Sequence, residues 1–196
     1  MFNKPKLLED LRKELDELIR VLAYYLEKEI SRKPIEKQNT QIRDIEFNEI
    51  INFNYTDTYS RIYCKETKVL YPHGQIKNEK SMVLGIMDDE DISLDFIYFK
   101  KYFQRIQKRA INLKKEILNF SNILDETTNV YFFGMSMGKS DEDLIKQIIS
   151  IADIIKIFYY NQDDYEKKII NLIDIYGREK IEEWLEYDKL IFVELI

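Results

Sequence analysis

Toward the C-terminus three apolar runs alternate with helical patterns, and no other feature of the chain constrains its fold as much. Val130–Gly134 is a β-like run that ends in glycine. Ile154–Tyr160 is a second, rich in β-branched and aromatic residues, and Leu190–Ile196 is a third. Ser140 opens the helix between the first two, placed to cap it with Asp143 three positions on. Residues 163–175 read as a helix stopped near Gly177, followed by a short helix that carries Trp184. Strands joined by connections this long do not close as hairpins. They pair in parallel, and the crossover helices cover the sheet. The expected fold class is α/β, with a mostly parallel sheet and flanking helices.

The N-terminal part adds to this frame. Leu8, Leu11, Leu15, Leu18, Leu22 and Tyr25 form one apolar stripe on a helix over residues 7–30. Polar residues 31–46, with Pro34, read as a loop. A strand is expected at 48–54, and two more β-like runs at 68–72 and 82–86, with His73-Gly74 in the turn between them. Acidic residues 88–91 read as a loop. Phe96, Phe99, Phe103, Ile106, Ala110, Leu113, Ile117 and Phe120 keep a three–four spacing that predicts a helix over 95–120. No repeat, low-complexity tract or long linker divides the chain. A single domain over 1–196 is expected: residues 1–45 as helix and loop, residues 46–196 as the α/β part.

Charge and cysteine usage narrow the functions. A formal net charge of -6 provides no basic field, so nucleic acid is not an expected partner. Cys64 is the one cysteine, which excludes an intrachain disulfide and suits a reducing, cytoplasmic setting. Cys64 reads as a small semi-buried thiol; His73 is the sole base it could pair with as a nucleophile. One cysteine and one histidine cannot form a four-ligand zinc site, and no metal is expected. The first residues hold no apolar signal core, and no run approaches the ~18 apolar residues of a membrane span. No membrane partner is expected.

Ligands of open parallel sheets bind beyond the C-terminal strand ends, which selects three places. Asn54-Tyr55-Thr56-Asp57 follows the strand at 48–54. Its polar groups could reach a sugar or a water, though Asn and Asp also simply make turns. His73-Gly74 pairs the one histidine, a potential general base, with a glycine that permits a tight turn. The plainer reading is a solvent-facing histidine at a hairpin. Gly134-Met135-Ser136-Met137-Gly138-Lys139-Ser140-Asp141 joins a strand to a helix, where backbone N–H groups suit a phosphate or ribose. The Gly-x-x-x-x-Gly-Lys spacing of a P-loop is absent. A serine hydrolase elbow would need a histidine after Ser136, and His73 precedes it.

In this order, Asn52-Phe53-Asn54-Tyr55-Thr56-Asp57, Pro72-His73-Gly74 and Phe133-Gly134-Met135-Ser136-Met137-Gly138-x-x-Asp141 resemble the AbiH-type bacteriophage abortive-infection family. That family is similar to the sirtuin-like nucleotide-binding fold, and the resemblance covers its C-terminal part. It implies a Rossmann-like, sirtuin-related sheet around NAD or a related nucleotide. By this resemblance Asn54 would hold a ribose or water, and His73 would act as general base. Gly134 and Ser136 would contact phosphate or the adenine ribose, Asp141 would close that motif, and Asn161 would bind ribose. Thr56 stands where the sirtuin-like pattern has an acid, with Asp57 adjacent, and Met135 where the family often has histidine. The family opens with a strand and a glycine-rich loop, yet no glycine precedes Gly74, so that strand and loop are missing here.

Two functional expectations follow. One is a phage-defence enzyme that hydrolyses NAD or NADP at this site. The other is a truncated, non-catalytic AbiH-like module. The module would act through self-association as a homo-oligomer, or through a partner chain that supplies the missing strand.

Overall fold

The computed structural model describes residues 3–35, 39–63, 66–86, 94–108, 115–117 and 127–196. The chain folds as two compact units, Met1–Ile111 and Asn112–Ile196. Both are α/β with parallel strand pairing.

In the first unit, helix α1 spans Lys4–Tyr25. The Asn3 side chain caps it, accepting the Lys6 N–H at 3.2 Å, and Pro5 lies in the first turn, where its missing N–H costs nothing. Its inner stripe of Leu15, Ile19, Leu22 and Ala23 continues into Leu26 of a π turn, Leu26–Ile30. This stripe packs with Tyr55, Ile76, Met82 and Leu84. The expected loop at 31–46 contains one helical turn, α2 (Thr40–Arg43). Asn39 starts it: its side chain accepts the Ile42 N–H at 3.1 Å while its own N–H donates to the Tyr63 hydroxyl at 2.9 Å.

Strand β1 (Glu49–Ile51) pairs in parallel with β2 (Lys68–Leu70), in register from Glu49 with Lys68 to Ile51 with Leu70. The short helix α3 (Thr58–Ile62) lies between them in sequence. Both strands are shorter than expected. Past Ile51 the chain curls on its own side chains: Asn52 Nδ2 donates to the Thr56 carbonyl at 2.7 Å, and the Asn54 N–H donates to Asn52 Oδ1 at 2.9 Å.

The expected strand at 82–86 is not formed, apart from one parallel bridge between Ile86 and Lys100. Its backbone is satisfied otherwise. The Val83 N–H donates to the His73 carbonyl at 2.8 Å, and the buried Gln104 carboxamide bonds both the N–H and the carbonyl of Leu84. The same pairing interrupts the helix expected at 95–120. The Ile86 N–H donates to the Phe99 carbonyl at 2.8 Å, drawing residue 100 into an extended conformation. A 3₁₀ helix, Leu94–Phe99, therefore precedes helix α4, Lys101–Gln107. Residues 115–117 are helical; the rest of that run, the acidic loop at 88–91 and Cys64 lie outside the described residues.

The second unit is a sheet of β3 (Asn129–Phe132), β4 (Ile154–Tyr159) and β5 (Leu190–Glu194), in that order and all parallel. Crossovers run through α5 (Glu142–Ile149), then α6 (Gln162–Tyr176) and α7 (Arg178–Glu186). Ile155 and Ile157 are fully buried at the sheet centre. Leu144, Ile145, Leu172, Ile175, Ile181 and Trp184 supply the buried helical side chains. Gly177, at φ 79°, ends α6 and starts α7 in a conformation that glycine adopts without strain. Ser140 does not cap α5. It lies in a 3₁₀ turn, Lys139–Asp141, and its hydroxyl donates to Asp141 Oδ2 at 3.2 Å instead. Among the described residues, no helix is long and apolar enough to cross a membrane.

Candidate functional site

The residues expected to form the nucleotide site all follow the C-terminal ends of strands. Asn54 and Asp57 follow β1, and His73-Gly74 follows β2. Gly134, Ser136 and Asp141 follow β3, and Asn161 follows β4.

In the first unit, Asn54 and His73 belong to neighbouring turns. Phe53, beside Asn54, meets the His73 ring edge to face at 5.6 Å. His73 is buried, not solvent-facing, and it lies on no strand hairpin, since the strand expected at 82–86 is not formed. The turn at 71–74 closes through the Gly74 N–H and the Tyr71 carbonyl at 3.0 Å. Gly74 has φ 77°, and a Cβ there would stand 2.1 Å from the Ser81 carbonyl oxygen. Glycine is thus required by backbone packing on Ser81. Tyr55 ties the two turns together: its hydroxyl donates to the Val83 carbonyl at 2.7 Å, and its carbonyl accepts the Ile76 N–H at 3.0 Å. Asp57 is held by Lys77 Nζ at 2.6 Å, and that ion pair raises the Lys77 pKa.

In the second unit the loop 133–141 is pinned at two points. Met137 is fully buried with φ 56°, a strained conformation for a non-glycine residue, and the Ser136 carbonyl accepts Asn171 Nδ2 from α6 at 2.7 Å. Gly134 also has a left-handed backbone, φ 60°. The space beside it is open apart from the Tyr160 hydroxyl, which a Cβ would meet at 3.6 Å. Among the described residues, nothing accepts the backbone N–H groups of Gly134, Met135, Ser136, Met137 or Gly138. Five backbone donors of this loop are thus left without a protein acceptor there. Asp141, Glu142 and Asp143 follow at once, and Lys139 is drawn toward Asp174 at 3.8 Å. Three carboxylates at a helix start oppose a phosphate. Donors beside carboxylate acceptors suit the hydroxyls of a sugar better.

Asn161 is the N-cap of α6, with its Oδ1 accepting the Asp164 N–H at 2.9 Å. Its Nδ2 is the group left for a ligand. Asp164 in turn accepts from the Tyr160 N–H at 3.0 Å and from buried Lys168. Among the described residues, no group of three His, Cys, Asp or Glu is placed to hold a metal ion.

None of these residues lines a cleft found among the described residues of the first unit. That cleft, about 180 Å³, lies between α1 and residues 98–108 and is lined by Arg12, Leu15, Asp16, Tyr98, Gln104 and Lys108, with Gln107 at its side. The sequence held one signal for it: Gln104 and Lys108, four apart, intrude on a stripe that otherwise reads as aromatic packing.

Comparison with known proteins gives one match. The family model described as "Bacteriophage abortive infection AbiH" covers residues 2–160, which includes the β1, β2 and β3 motifs. No curated protein matches, and no solved structure matches.

Proposed function

The chain belongs to the bacteriophage abortive infection family AbiH, and from that premise we propose that it acts in phage defence through nucleotide binding at strand ends. The observation that carries this reading is topological. Every candidate residue, in both units, follows the C-terminal end of a parallel strand, where open α/β sheets bind ligands. In the second unit the backbone donors of 134–138, with Asp141 and Asn161 Nδ2, suit a ribose. In the first unit Asn54 positions a ribose hydroxyl or water, and His73 serves as the general base. NAD or NADP, cleaved at the nicotinamide–ribose bond, is the substrate class this assigns. The sheets are then Rossmann-like in the sirtuin-related sense.

The test is incubation of the purified protein with NAD and with NADP, with products separated by chromatography. Nicotinamide release is expected, and it should vanish in His73→Ala while the circular dichroism stays unchanged. Intact nucleotide after prolonged incubation with the wild-type protein would sink the hydrolase reading.

A second reading has its own support. Leu18, Val21 and Tyr25, spaced three and four apart on α1, are 54%, 65% and 52% exposed, and Tyr24 beside them is 67% exposed. Contiguous apolar surface of this kind marks contact with another protein chain. A non-catalytic module that self-associates through α1 would use it. Sedimentation of the wild type against Val21→Lys separates the two readings: the module is concentration-dependent in size and the variant monomeric.

A further inference from the structure

We propose that the cleft between α1 and residues 98–108 is an oxyanion site that takes a phosphomonoester. Its polar lining is sorted by what is already spent. The Gln104 carboxamide is fully used: Oε1 accepts the Leu84 N–H at 3.0 Å, and Nε2 donates to the carbonyls of Leu84 at 2.8 Å and Tyr98 at 3.2 Å. It forms a rigid wall and no ligand contact. Lys108 Nζ donates to the Met82 carbonyl and, loosely, to Gln104 Oε1 at 3.4 Å, which leaves one ammonium N–H. The Arg12 guanidinium lies 4.5 Å from the Tyr98 ring centre, its orientation set by that stacking. Among the described residues, neither Arg12 nor Lys108 has a carboxylate within ion-pair distance. Arg12, Gln107 and Lys108, the last with one ammonium N–H left, therefore line one space.

Burial pushes the Lys108 ammonium below its ordinary pKa, with Asp16 opposing, so a bound anion would offset the desolvation it bears. Asp16 is the one carboxylate of the lining. It repels an anion but accepts from a hydroxyl next to one, as in a phosphorylated sugar. Pockets for whole drug-sized ligands run ~300 Å³ and above, so at about 180 Å³ the cleft takes one phosphate group and its nearest substituent, not a dinucleotide. The site shares no residue with the strand-end motifs. Its success or failure is independent of NAD hydrolysis.

The test is calorimetric titration of the full chain, at low ionic strength, with inorganic phosphate, adenosine monophosphate and adenosine. Saturable binding of the first two is expected at about millimolar affinity, with the monophosphate tighter and adenosine silent. Arg12→Gln should weaken both about tenfold, the scale of one lost charge-assisted contact, and Asp16→Asn should tighten inorganic phosphate a few-fold by removing repulsion. Arg12 and Asp16 are exposed, so both variants keep the fold even if Lys108→Met does not. Absence of saturable phosphate binding would overturn the proposal, as would equal affinities in the wild type and Arg12→Gln. Binding of adenosine as tight as its monophosphate would do the same.

Discussion

Asn161 and Asp164 are locked together at the start of α6, with the Asp164 N–H donating to Asn161 Oδ1 at 2.9 Å. Asn161 is therefore a helix cap, and only Nδ2 remains for a sugar. Asn161→Asp keeps the cap oxygen and removes that donor. Asn161→Ala removes both and should cost about 1 kcal/mol of stability, as lost caps do. If Asn161 touches ribose, the aspartate variant melts like wild type in urea yet binds nucleotide more weakly. Wild-type affinity in Asn161→Asp would leave the residue as a cap alone.

The glycines of the two strand-end motifs should respond differently to the same change. At Gly74 an added Cβ meets Ser81 backbone at 2.1 Å with φ 77°, so Gly74→Ala must displace the segment that carries the His73–Val83 hydrogen bond. A loss of about 3 kcal/mol or more is expected. At Gly134 the space is open, and only the left-handed strain of about 1–2 kcal/mol applies. Urea melts of both variants rank them; equal losses would mean that the Gly74 contact relaxes freely.

The Asp164–Lys168 pair makes a statement about pH. Burial alone would raise the Asp164 carboxyl, but hydrogen bonds from Lys168 and from the Tyr160 N–H outweigh it and bring the pKa below the ordinary 3.8. A carboxyl that holds its proton less readily when folded stabilises the fold fully above pH 3.8. That stability is lost as pH falls through the lowered folded value. Lys168 is only 2% exposed, so Asp164→Asn leaves a buried ammonium unpaired and should cost about 3 kcal/mol at neutral pH. The gap between variant and wild type should close below pH 3.8. A gap that stays constant across acid pH would show that the carboxylate charge is not the cause.

The second unit was legible in the sequence because its signals are local. Each β-like run there is largely apolar, the first two stop at Gly134 and Asn161, and each helix between is amphipathic, so parallel pairing followed from connection length alone. The first unit was read less well because distant side chains decide its backbone. Gln104 completes the hydrogen bonds of Leu84, and Ile86 pairs with residues 99–101, so a spacing that reads as one long helix breaks at Lys100. The same holds for single residues. Ser140 has the right type and spacing for a cap, but the 3₁₀ turn at 139–141 turns its hydroxyl to Asp141. His73 was found as a strand-end residue, while its burial against Phe53 depends on a parallel pairing that short runs do not reveal.

Tyr176, at the last position of α6, sets an alkaline limit on the second unit. Its ring packs edge-on against Trp184 at 4.8 Å, and its hydroxyl is buried with no partner among the described residues. Burial first, and the Glu142 carboxylate second, push its pKa up to about 12 from 10.0. Between these values the folded chain keeps a proton that the unfolded chain has released, so unfolding gains as pH rises above 10.0. The group is half-buried, and solvent screening limits the loss to about 1 kcal/mol. In Tyr176→Phe the unpaired hydroxyl is gone. Stability at pH 7 should be equal or slightly higher, since an unsatisfied buried polar atom costs about 1 kcal/mol or more. The extra alkaline loss should disappear, and one of the 14 tyrosines should drop out of the late phase of the phenolate absorbance titration. If wild type and variant lose stability in parallel above pH 10.0, Tyr176 ionises as an ordinary surface phenol and the packing against Trp184 does not shield it.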